Sequence, residues 1–110
     1  MAASLHLLCR DRLGIRCVDR DQDVYTSEAW AISAAEAAKI IGGRVYFHQT
    51  KADPSYFGGD VLGVEPVHGE GSDPERFILR LTAQRDAKGV AWNEAGQSHA
   101  MAWSSGVLED

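Results

Sequence analysis

Residues 44–66 read RVYFHQTKADPSYFGGDVLGVEP, and the fold turns on them. Arg44, Tyr46 and His48 alternate with Val45 and Phe47. That period of two puts an apolar row on one face of a strand and ring and imidazole groups on the other. Residues 60–67 make a second strand, in which Gly63 marks a bulge or the close approach of another backbone. Between the strands, residues 50–59 gather Thr50, Lys51, Asp53, Ser55, Tyr56 and Phe57 beside Pro54 and the pair Gly58-Gly59. A connection that carries two aromatic rings and several hydrogen-bonding groups is a candidate site.

The flanking sequence supplies the remaining elements. Ser33 and Glu36 have capping-box spacing, and they open a helix over about 34–41 with Ala37, Ile40 and Ile41 on one side. Gly42 then provides the positive-φ stop. Ahead of the helix, Val24, Thr26, Glu28, Trp30 and Ile32 share one face of an extended segment, and residues 19–23, DRDQD, form a solvated loop. Residues 4–10 are a strand with Leu5, Leu7 and Cys9 on one face. The turn chemistry of residues 11–14 predicts that residues 15–18 pair back onto it. Downstream, Phe77, Leu79, Leu81 and Ala83 oppose Arg76, Arg80, Thr82 and Gln84 in the most regular strand. A turn at 86–89, a short strand at 90–92 and a last edge strand at 99–103 follow. The sum is a single α+β domain over 1–110, mostly β: a small curved antiparallel sheet or β-barrel with one main helix plugging one end.

Sixteen acidic against eleven basic residues give a formal net charge of −5. That excludes a general binder of nucleic-acid backbone, which needs a basic surface. It leaves room for a reader that takes one base into a pocket, with Lys and Arg gathered locally. No apolar run approaches the roughly 20 residues of a membrane-spanning helix, so no membrane partner is expected. The opening MAASLHLLCRDR has no basic segment before its short apolar stretch, unlike a secretory signal. Cys9 and Cys17 make neither a disulfide framework nor a zinc site, and reduced thiols fit a cytoplasmic protein. His6, His48, His68 and His99 lack metal-ligand spacing, so neither metal nor other cofactor is expected.

One family resemblance runs over residues 30–81. A capped helix ending in Gly42-Gly43, the strand RVYFH at 44–48, a polar loop, VLGVEPV at 61–67 and FILRL at 77–81 follow in order. This order resembles the PUA-like superfamily, its EVE and ASCH branches above all. The resemblance implies a PUA-like β-barrel with a cleft beside the helix, and a role in binding RNA or a modified nucleobase. The lysine-and-proline signature of EVE domains is missing from the N-terminal segment. No residue matches the catalytic set of the ASCH relatives that are small amidohydrolases, so no catalytic residue is assigned.

The reading that joins these observations is a binding module with a cleft for a planar ligand, a nucleobase of RNA or modified DNA. Tyr56 and His48 stack and orient the guest, and Tyr46 and Trp30 complete the rings, although a place in the core competes for Trp30. Thr50 and Ser55 read its edge, while Lys51 and Arg44 meet phosphate or carbonyl groups. If their strands are neighbours, Arg44, Arg76 and Arg80 form a basic stripe. One alternative is a small amidohydrolase-like enzyme on a modified nucleoside, using Lys51 with Asp60 or Glu65. Another is a protein-interaction domain that forms a homodimer through Trp103.

Overall fold

The computed structural model describes residues 3–10, 14–30, 34–50, 52–67, 76–92 and 108–109. The strands are β1 (Ala3–Leu8), β2 (Arg16–Asp19), β3 (Val24–Trp30), β4 (Arg44–His48), β5 (Phe57–Val67), β6 (Arg76–Ala83) and β7 (Leu108–Glu109). The helix α1 (Ala34–Ile40) lies between β3 and β4. All seven strands join one sheet in the order β2-β3-β6-β5-β4-β1-β7. The β1–β4 ladder is parallel and the other five are antiparallel, so the sheet is mixed.

Two expectations about topology are corrected. The sheet is open: among the described residues no ladder joins its end strands, β2 and β7, so it is not closed into a barrel. Those strands are only four and two residues long, which leaves little backbone to pair and also blunts the edges. Nor does β2 fold back on β1. It pairs with β3 through a turn in which Asp23 has φ 55° and the Gln22 N–H donates to the Asp19 carboxylate at 3.2 Å. Burial explains the choice. Leu5, His6 and Leu7 are buried in succession, so β1 is covered on both faces and belongs inside the sheet. β2 is exposed along its whole length and suits an edge.

The apolar core lies on one face, where Leu5, Leu7, Val45, Phe47, Phe57, Val61, Leu79 and Leu81 pack with Ala37 and Ile40 of α1. Each such large side chain contributes about 1.5–3 kcal/mol by leaving water. Ile41 does not join them. The helix ends at Ile40, Gly42 turns the chain at φ 83°, and Ile41 is left 49 % exposed. The proposed cap Ser33 lies outside the described residues. In β3 a register shift between Thr26 and Ala29 breaks the expected alternation, so Val24, Ser27 and Trp30 are the buried positions. Ser27 repairs the ladder there: its hydroxyl accepts from Leu79 N–H at 3.1 Å and donates to the Glu28 carbonyl at 2.8 Å.

β5 begins at Phe57, three residues before the expected start, and the Gly58-Gly59 pair is the reason. A methyl on Gly59 would strike the Thr82 carbonyl, and one on Gly58 would strike the Val45 carbonyl. Gly63 is different: open space surrounds it, and it follows a register shift after Val61, so the bulge reading applies. Residues 90–92 form no strand, and the edge strand expected at 99–103 lies outside the described residues. Among the described residues, no helix is long and apolar enough to cross a membrane.

Candidate functional site

The sheet face opposite the core carries the polar chemistry. Its geometry follows from the parallel register, which sets His6 beside Tyr46 and Leu8 beside His48. The His6 and Tyr46 rings stack at 4.8 Å between centroids and 24°, the separation that neighbouring strands impose. His48, two residues on from Tyr46, reaches back to His6. Its Nε2 lies 2.8 Å from His6 Nδ1, and its Nδ1 lies 2.9 Å from the Asp53 carbonyl.

These contacts fix the protons. A carbonyl only accepts, so His48 Nδ1–H donates to Asp53. In a neutral ring His48 Nε2 then holds a lone pair and accepts from His6 Nδ1–H. The chain runs His6 to His48 to Asp53, and both imidazoles are buried. Burial, aided by the neighbouring His48, lowers the His6 pKa from 6.5 to about 4. Burial also lowers that of His48, partly offset by its bond to Asp53. The pair is therefore neutral at pH 7.

A strap covers it. The 3-10 turn Arg85–Ala87 and residues 88–92 cross this face and lay the Trp92 ring 5.7 Å from His6 and 5.1 Å from His48. Ser55 is the clasp. Its N–H donates to Val90 O, its carbonyl accepts from Gly89 N–H, and both bonds measure 2.7 Å. Its hydroxyl donates to Ala87 O at 2.6 Å and accepts from Val90 N–H at 2.9 Å. Gly58 leaves room for the strap, because a Cβ there would also press on the Ala87 methyl.

Beside the rings, Arg44 joins strap and sheet. Its Nε donates to Asp60 at 3.0 Å and its Nη1 to Asp86 at 2.6 Å. Asp60 also accepts from Gln84 Nε2 at 2.9 Å. The bond to Asp86 raises the Arg44 pKa further, so the guanidinium is permanently charged.

Of the residues singled out in the sequence, Tyr46, His48 and Arg44 share this face, and Ser55 clamps its cover. Thr50 is exposed and stands off from the rings. Its hydroxyl donates to the Asp53 carboxylate at 3.0 Å and accepts from Asp53 N–H at 3.2 Å, closing the loop that offers the Asp53 carbonyl to His48. Tyr56 donates its hydroxyl to the Cys9 carbonyl and packs against the core. Trp30 is buried in the core with Val45 and Phe47, across the sheet from Tyr46. Lys51 and Trp103 lie outside the described residues.

The three arginines do not form a stripe, because β5 separates β4 from β6. Asp60 is held by Arg44 and Gln84, and Glu65 stands exposed five residues further along β5. His6 and Trp92 were missed as site residues. The sequence gives His6 the face opposite Leu5 and Leu7, but not the parallel neighbour that brings it to Tyr46. Among the described residues no group of three or more His, Cys, Asp or Glu could hold a metal ion. No family model, curated protein or solved structure matches this chain.

Proposed function

We propose that the chain is a binding module that takes a planar ligand, a nucleobase of RNA or of modified DNA, on the sheet face that carries Tyr46. The observation that carries this reading is the ring cluster of His6, Tyr46, His48 and Trp92, set on the face opposite the core with Tyr46 and Trp92 only half-buried. Two neutral imidazoles behind the rings add no charge that a flat, neutral guest would have to desolvate. Arg44, two residues from Tyr46 on the same face, is a cation beside the rings. The resemblance to PUA-like domains points to the same ligand class.

Stacking on an aromatic side chain is worth about 1–3 kcal/mol per base. Titration of short single-stranded RNA and of DNA bearing modified bases, followed by tryptophan fluorescence at low salt, tests the reading. Saturable binding is expected, weakened about 5- to 150-fold by Tyr46→Ala. No binding at low salt, where phosphate contacts are strongest, overturns it.

A further inference from the structure

We propose that Asp86 is a built-in competitor for the anionic arm of the ligand. Its carboxylate occupies the position on Arg44 that would be taken by the phosphate of a nucleotide whose base stacks at Tyr46. The inference rests on the nucleobase reading of this face and specifies the ligand as a nucleoside monophosphate unit.

Arg44 is one cation facing two carboxylates, so one of them is in excess. The two are not equivalent. Asp60 is the cross-strand neighbour of Arg44, takes its Nε and also accepts from Gln84. Asp86 projects from the 3-10 turn with its side chain 71 % exposed, and its hydrogen bond to Arg44 is made through one oxygen. An exposed ion pair contributes little to stability, so Asp86 is the partner that exchanges at small cost. A phosphate gains more than Asp86 gives up, because it offers several acceptor oxygens to a guanidinium suited to bidentate contact.

Spacing supports the pairing of the two functions. Arg44 and Tyr46 lie two residues apart on one face, roughly 6.6–6.8 Å along a strand, a span that one nucleotide bridges between its base and its own phosphate. The exchange also reaches the strap. Asp86 belongs to the turn that leads to Trp92, so its release frees one anchor of the segment over His6 and His48. In the absence of ligand Asp60 and Asp86 together outweigh the charge of Arg44, and bare phosphate backbone finds little attraction on a chain of net charge −5.

The test is calorimetric titration of the four ribonucleosides, 5-methylcytidine and their 5′-monophosphates into the wild type, Asp86→Ala, Asp86→Asn and Arg44→Gln, with circular dichroism to verify folding. Both Asp86 variants should bind the preferred monophosphate about two- to fivefold tighter, with the parent nucleoside unchanged. Arg44→Gln should erase the advantage of monophosphate over nucleoside. If nucleosides bind but the Asp86 variants show no gain for the monophosphate, or an equal gain for both ligands, the competitor role is overturned while the nucleobase reading stands. If neither nucleosides nor monophosphates bind the wild type or the Asp86 variants, the nucleobase reading fails and the competitor role with it.

Discussion

Acid should weaken this protein through His6. His6 is neutral in the fold, where its pKa falls from 6.5 to about 4. Between those values the unfolded chain binds the proton and the folded chain does not, so stability rises with pH across the window. The contribution is whole above about pH 6.5 and is lost as the pH drops through about 4. The gap is worth about 3 kcal/mol. The matching perturbation is His6→Asn, whose amide N–H stands where Nδ1–H stands and keeps a donor for His48 Nε2. Urea unfolding of both proteins, followed by circular dichroism between pH 4 and 7, gives the stability difference at each pH. Wild type should lead at neutral pH, and its lead should shrink by about 3 kcal/mol on going to pH 4. Parallel curves, with a lead constant to within about 0.5 kcal/mol, would refute a neutral buried His6 and the proton order drawn from it.

Three further substitutions probe the scaffold. Ser55→Ala strands the Ala87 carbonyl and the Val90 N–H, so urea unfolding should show a loss of about 2–4 kcal/mol. Hydrogen exchange should speed up at the Val90 amide and stay slow at Gly89, which bonds to the Ser55 backbone. Gly59→Ala drives a methyl into the Thr82 carbonyl and should cost about 3 kcal/mol or more in thermal unfolding. Gly63→Ala, with open space around it, should stay within about 0.5 kcal/mol.

Local rules made much of the fold legible. Alternation in residues 76–84 and 44–48 placed Phe77, Leu79, Leu81, Val45 and Phe47 in the core, and Gly42 marked the end of α1. What escaped was long-range pairing. Nothing near β1 states that its neighbour is β4, and a turn at 11–14 reads as a hairpin because turn chemistry is local while burial on two faces is not. The β3 bulge hides for a similar reason: the Ser27 hydroxyl repairs the ladder through Leu79, 52 residues away. At the candidate site, Tyr46, His48 and Arg44 were visible from the pattern of β4. Their partners His6, Trp92 and Asp86 come from distant segments and could be assigned only once those segments met.

The parallel β1–β4 ladder also bears on the order of assembly. The hairpins β2–β3 and β4–β5 can close over short separations, whereas the β1–β4 ladder, like β3–β6 and β1–β7, joins strands some 40 or more residues apart and belongs to the slower, entropy-limited steps. The two imidazoles sit astride that seam, so a chain arrested before β1 docks would contain a compact β4–β5–β6 meander and no histidine pair at all.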